Sequence, residues 1–277
     1  MVTRFGLIGT GYWATTVHGP GLHRHPDVDL VGVWGRDPGR TAAAAAAVGT
    51  TPFDEVDALV DAVEAVAFAV APDVQADLAT RAAERGRHLL LDKPLALDVD
   101  AACRVAGAVH RAGVASVVFF TRRFSPRLAP WWADVGAGDW SAATVVELSS
   151  ALGAGSPYAS SAWRQERGAL WDIGPHALAT LAVALGLTHR GGGASSLLLA
   201  LDAPEEGRRS SSVLSGRSGV LEMPPDASTT LDSFGRAVDE LLAAARAGGG
   251  DHPCGAAFGL EVVEVLARAE ASIAAPV

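Results

Sequence analysis

The chain has 277 residues, 49% of them apolar and 19% charged, which excludes a disordered polypeptide and suits two domains of ordinary size. A formal charge of −9 without a run of Lys and Arg excludes a binder that works by neutralising nucleic-acid phosphates. Two cysteines, Cys103 and Cys254, exclude a disulfide scaffold and a cysteine-rich zinc module. The longest apolar stretches, such as Ala65–Ala71, are too short to cross a bilayer, and Met1–Thr10 runs into a strand pattern rather than a leader. The expectation is a cytoplasmic protein with no membrane or nucleic-acid partner and no metal.

The first part of the chain alternates in type. Arg4–Ile8, Val28–Trp34, Ala65–Val70, Arg87–Leu91 and Val114–Phe120 are short apolar runs bounded by turn residues, which predicts strands buried on both faces of a parallel sheet. Between them lie Ala-rich helix formers at Ala14–His25, Pro38–Val48, Asp54–Asp61, Asp73–Arg85 and Asp98–Arg111. Strand–helix–strand alternation predicts an α/β fold with a doubly wound parallel sheet. Gly19-Pro20-Gly21 is expected to break or kink the first helix. After Phe120 the pattern changes. Ser141–Ser150 reads as a strand and Asp172–Leu185 as a helix. Gly191–Gly193 reads as a flexible turn. Leu197–Leu201, Ser210–Leu214 and Val220–Met223 read as short strands, and Ser233–Ala247 and Ala256–Ile273 as closing helices. This order predicts an N-terminal domain over 1–121 and an α+β second domain over 122–277, whose sheet is short of strands between Gly186 and Thr230.

Three motifs carry chemistry. Gly9-x-Gly11-x-x-Ala14, with Tyr12 and Trp13 between, follows a strand and opens a helix. The first glycine permits the tight turn, the second admits a pyrophosphate to the backbone, and the third small residue lets helix and strand pack closely. At the end of the second strand Gly35 stands where an acid would read a ribose 2′-hydroxyl. Arg36 follows, which suits a 2′-phosphate and hence NADP over NAD; Asp37 either reaches the ribose or caps the next helix. Asp92-Lys93-Pro94-Leu95 ends a buried strand, so Lys93 stands at the sheet edge where ligands bind and can polarise a substrate oxygen. Gly174-Pro175 opens a helix with His176 in its first turn, where the helix dipole favours neutral imidazole, the form a general base needs. Asp172, just before that turn, is placed to orient His176, bind a hydroxyl or serve as a cap. Trp163 and Arg164 are candidates to line a substrate cleft, Arg164 alternatively forming a structural ion pair. His18, His23 and His25 lack the companions of a metal site and are assigned to packing or surface roles.

Gly9-x-Gly11-x-x-Ala14, Asp92-Lys93-Pro94-Leu95, Arg123-Phe124 and Asp172-x-Gly174-x-His176, in this order, resemble the Gfo/Idh/MocA family of oxidoreductases, and Leu231–Ser272 is similar to that family's closing helices. The resemblance implies a Rossmann domain followed by an α/β domain with an open sheet. It implies a catalytic trio of Lys93, Asp172 and His176 and a cis peptide at Lys93–Pro94. Cofactor contacts are implied at Ala71, Pro72, Asp92 and Pro94, and substrate contact at Arg123. The implied reaction is hydride transfer between a nicotinamide dinucleotide, NADP or NAD, and a sugar, polyol or related hydroxyl or carbonyl compound. A homo-oligomer, dimer or tetramer, is the expected assembly. Departures from the family pattern are Asp92 for a Glu, Gln75 where a His is common, and Arg167-Gly168-Ala169 for three glycines. A non-catalytic dinucleotide sensor of the same fold is the alternative, and a redox-neutral enzyme with a tightly held cofactor a third.

Overall fold

A computed structural model describes residues 2–186 and 193–274, so most of the expected Gly191–Gly193 turn lies outside the described residues. By its internal contacts the chain divides into two units, Met1–Phe124 with Thr229–Leu260, and Ser125–Ser228 with Glu261–Val277. The single boundary expected at 121/122 did not anticipate the return of 229–260 to the first unit.

The first unit holds six parallel strands, β1 (Thr3–Ile8), β2 (Val28–Trp34), β3 (Thr51–Pro52), β4 (Ala65–Phe68), β5 (His88–Asp92) and β6 (Ser116–Phe119), in the order β3-β2-β1-β4-β5-β6. This is the doubly wound arrangement whose ligand crevice lies at the carboxyl ends of the strands where the order reverses, beside β1. Phe5, Leu7 and Ile8 of β1, all of β4 and Leu89–Leu91 of β5 are buried, as continuous apolar runs require when both sheet faces are covered. The two-residue β3 went unexpected. It is exposed and lies at the sheet edge, where Pro52, with no N–H to donate, is tolerated.

The helices of this unit are α1 (Gly19–Arg24), α2 (Pro38–Val48), α3 (Val56–Ala62), α4 (Pro72–Glu84) and α5 (Val99–Ala112). The first does not break at Gly19-Pro20-Gly21. Helix begins at Tyr12, passes through a π-helical stretch at Ala14–His18 and runs straight into α1, with the Gly19 N–H bonded to Ala14 O. The wider turn absorbs the donor that Pro20 lacks. The flanking glycines make room for neighbours: a Cβ at Gly19 would lie 2.3 Å from Val48 Cγ1, and one at Gly21 would lie 2.3 Å from Phe234 Cδ1.

Phe234 belongs to a helix of the returning segment, Thr230–Arg246, whose Phe234, Ala237, Val238 and Leu241 are fully buried. Its amphipathic period was legible, but periodicity does not say which sheet will receive the apolar stripe. Further on, Val118 N donates to Cys254 O at 2.7 Å and Ala256 N to Ser116 Oγ at 3.0 Å, which tie 252–256 to the β6 edge. His18 is completely buried, its ring 4.6 Å from that of Phe234, and burial lowers its pKa to about 3. The packing role expected for it is what the structure shows.

The second unit contains α6 (Ala129–Ala137), β7 (Trp140–Leu148), α7 (Ala162–Asp172), α8 (Gly174–Leu185), β8 (Ala194–Ala200), β9 (Arg209–Gly216) and β10 (Gly219–Glu222). The returning helix Thr230–Arg246 is α9, and Ala256–Ala274 is α10. Among the described residues the second sheet has four strands in the order β10-β9-β7-β8, so the shortened open sheet expected is present; that it is mixed, with β7 and β8 parallel and the others antiparallel, is a finding of the structure. On β7, Ala143, Val145 and Glu147 are buried while Thr144 between them is exposed, so one face of the sheet is covered and the other open.

Candidate functional site

The turn after β1 is built around two glycines with different tasks. Gly9 has φ +138°, and a Cβ there would stand 2.4 Å from Ala69 O, so no other residue fits where β1 and β4 end side by side. Gly11 is the opposite case: a Cβ would meet nothing within 4 Å. The space before its backbone is open. The first helical i−4 bond runs from Thr15 N to Gly11 O, so the amides of Trp13 and Ala14 precede the helix's own bonding, as in an anion-binding helix start. Ala14 is fully buried, the small residue required at the helix–sheet contact. These features fit a dinucleotide diphosphate.

The end of β2 explains the missing acid. A Cβ at Gly35 would fall 2.5 Å from Thr10 Cγ2, so the fingerprint turn itself fills the place. Asp37 caps α2: its Oδ1 accepts from Arg40 N at 2.8 Å, ahead of Pro38 at the first helical position. Thr41 Oγ1 donates to Asp37 O at 2.8 Å and stiffens the same turn. The side chains of Arg36 and Arg40 are exposed here, and neither has an ion-pair partner among the described residues. Arg40 is a cation that sequence reading passed over.

At the carboxyl end of β5, Lys93 N donates to Asp92 Oδ1 at 2.7 Å and the Lys93–Pro94 peptide is cis, as the resemblance implied. Lys93 is the chain's one lysine; every other side chain among its 22 Lys and Arg is arginine. Sequence reading missed this signal. A compact ammonium with rotatable donors stands where the rest of the molecule uses the planar guanidinium. Ala71 is the extended residue before α4 and Pro72 its first residue, at the neighbouring strand's end. Arg123, in the 3₁₀ turn Thr121–Phe124, hydrogen-bonds the buried Cys254 thiol of its own unit; burial nevertheless raises that thiol's pKa.

The second unit carries Asp172 and His176. α7 is interrupted at Gly168, whose φ of 65° and ψ of −162° fold the chain back. In a straight helix residues eight apart are separated by about 12 Å. Here Arg164 Nε donates to Asp172 Oδ2 at 3.0 Å, and the two side chains are only 20% and 5% exposed. Arg164 also donates to Ser161 Oγ at 3.2 Å, and its Cζ lies 4.4 Å from the Tyr158 ring centroid and 4.5 Å from that of Trp163. Of the two roles expected for Arg164, the structure contains the ion pair. Asp172 does not cap α8, whose preceding residue Ile173 makes no side-chain cap. Across the fold-back, Arg167 Nη1 lies 3.2 Å from both carboxylate oxygens of Glu270, and Trp171 Nε1 donates to Glu270 Oε1 at 2.9 Å. His176 is the third residue of α8, half-buried, with its N–H bonded to Ile173 O at 3.1 Å. The expected trio is thus divided: Lys93 in the first unit, Asp172 and His176 in the second.

Residues 3–120 match the protein family described as an oxidoreductase family with an NAD-binding Rossmann fold. The inositol 2-dehydrogenase of Rhizobium meliloti is 32% identical over 128 residues, 46% of this chain and 38% of that protein. A D-xylose 1-dehydrogenase (NADP(+)) of Haloferax volcanii is 27% identical over 236 residues, 83% of this chain and 68% of that protein. The chain therefore spans well under half the length of the first curated relatives it matches. The crystal structure of a myo-inositol dehydrogenase from Corynebacterium glutamicum has the same fold, with a TM-score of 0.79 and 17% identity over 98% of this chain and 96% of that one.

Proposed function

We propose, from the match of residues 3–120 to that NAD-binding Rossmann family and the ordered motifs that follow, that the chain is a Gfo/Idh/MocA oxidoreductase, a dinucleotide-dependent dehydrogenase or reductase acting on a sugar, polyol or related hydroxyl or carbonyl compound. One observation carries the reading. The chain's single lysine stands at the carboxyl edge of the same parallel sheet whose first strand ends in the open Gly11 turn. The strands β1 and β5 are two places apart in that sheet, about 10 Å by ordinary strand spacing.

The Gly9–Ala14 turn holds the diphosphate, with Ala71, Pro72, Asp92 and Pro94 beside it. When bound, the dinucleotide supplies the hydride acceptor or donor. Lys93 hydrogen-bonds the reacting oxygen and stabilises the charge that develops there. His176 takes the hydroxyl proton in oxidation and returns it in reduction. Asp172, held by Arg164, orients His176 or the substrate. Trp163 and Arg123 line the substrate's surroundings.

The cofactor is NADP in preference to NAD. Gly35 offers no carboxylate, the Asp37 carboxylate is engaged in capping α2, and Arg36 and Arg40 supply guanidinium groups for a 2′-phosphate. The protein is cytoplasmic and pairs with a second copy through the open face of its four-stranded sheet. On that face Val146 lies in register with Leu198 and Ser211, Leu198 is 58% exposed, and Val220 on β10 is 69% exposed.

Titration with NADPH and NADH, followed by an absorbance screen of cofactor turnover across sugars, cyclitols, hydroxy acids and aldehydes, tests the reading. NADPH is expected to bind more tightly and at least one class to turn over. Absence of affinity for either dinucleotide overturns the proposal, and binding without turnover favours the sensor.

A further inference from the structure

Gln75 departs from the family pattern and takes no part in the expected catalytic set, yet it is 1% exposed and makes four hydrogen bonds to one short stretch of backbone. Its Oε1 accepts from Asp92 N at 2.8 Å. Its Nε2 donates to Asp92 O at 2.8 Å, Pro94 O at 3.2 Å and Leu95 O at 3.2 Å. These bonds fall on both sides of Lys93.

The sheet shows why a side chain is needed there. β4 pairs with β5 only as far as Ala67 and Leu90, so β5 outruns its neighbour before reaching Asp92. From that point the backbone has lost one ladder partner, and a cis peptide turns it immediately afterwards. Gln75 projects from the first turns of α4 and takes over the missing pairing. Only an amide supplies an acceptor and two donors from one planar group. A carboxylate would face three carbonyl oxygens, and an imidazole has a single donor in its neutral form.

We infer that Gln75 is a positioning residue for Lys93, fixing the backbone from which its ammonium reaches the reacting oxygen. This rests on the dehydrogenase reading for its consequence in turnover, but not for its structural content. Misplacing a catalytic group by about 1 Å costs on the order of 100-fold in rate, so Gln75→Leu is expected to lower kcat by that order. Dinucleotide affinity should fall far less than kcat, because the β1 turn that holds the diphosphate is untouched and only the neighbouring Asp92 and Pro94 backbone is loosened.

Because Lys93 is the one lysine, full-length protein grown on lysine labelled with carbon-13 at Cε gives a single side-chain resonance. In Gln75→Leu that resonance is expected to shift and broaden. In Gln75→His, which keeps one donor and one acceptor, it should return toward the parent position together with part of the activity. If Gln75→Leu does not fold, Gln75→His and Gln75→Asn carry the same comparison. A lysine resonance in the variants that coincides with the parent's overturns the inference, whatever happens to turnover. A parent that neither binds dinucleotide nor turns over any substrate overturns the dehydrogenase reading alone, since the resonance still reports on Gln75.

Discussion

The Lys93 turn and the Asp172 corner are held by opposite chemistries. In the first unit the buried side chains under the site are neutral: the Gln75 amide beneath the Lys93 turn and the His18 ring beneath α9. In the second, charge pairs do the holding, Arg164 with Asp172 and Arg167 with Glu270. A neutral amide can fix a backbone at little desolvation cost. The Arg164–Asp172 pair joins two side chains instead, and loss of either partner leaves a buried charge uncompensated. The difference teaches that the two sites should fail differently when perturbed.

The largest effect expected is on turnover. Lys93→Ala and His176→Ala should each lower kcat by about 100- to 10,000-fold, the usual contribution of a positioned acid–base or hydrogen-bonding group, while fluorescence titration shows dinucleotide affinity retained. Undiminished rates would remove both residues from the mechanism.

Next comes the acid response of the first unit. His18 is neutral when folded and protonates freely when unfolded, so the unfolded chain binds the extra proton below pH 6.5. Stability is therefore fully present above that pH and falls as pH drops toward 3, by up to about 4 kcal/mol. His88, whose pKa burial also lowers, adds to the same trend. Melting temperatures between pH 7 and 4 should decline more steeply in the parent than in His18→Leu; equal slopes would remove His18 as the source.

Arg164→Met strips Asp172 of its partner. An unpaired buried charge costs about 3 kcal/mol, so denaturant unfolding should show a loss of that order together with reduced turnover. Arg164→Lys should recover only part of either, because an ammonium cannot both bond Ser161 and Asp172 and stack as the planar group does. The smallest effect is at the fold-back: Gly168→Ala forces a side chain into positive φ at about 1 kcal/mol, and kcat should fall as Arg164 loses its seat.

Much of the first unit was legible because its signals are local. Buried strands read as apolar runs, Pro38 and Gly49 bracket α2, and Gly9 and Gly11 announce a turn whose tasks depend on their own backbone. What escaped was set by distant partners. Gly35 is explained by Thr10 across the sheet, Gln75 by a strand that stops short, and the docking of α9 by the hollow at Gly21. In the second unit, α6 and α7 were missed. The strongly polar Trp163–Gly168 run hid a helix that turns back on itself, and Arg164 and Asp172 stand eight residues apart, a spacing that no helix period brings together.

Gly21 and Phe234 have a consequence for how the molecule is made. The aromatic ring that plugs the notch in α1 leaves the ribosome long after the sheet it completes. Until then the nascent amino-terminal half carries an uncovered greasy flank, with the His18 imidazole still wet and able to take up a proton. Severed at 124, that half should be sticky and acid-sensitive, and supplying 229–260 as a separate peptide should rescue its solubility.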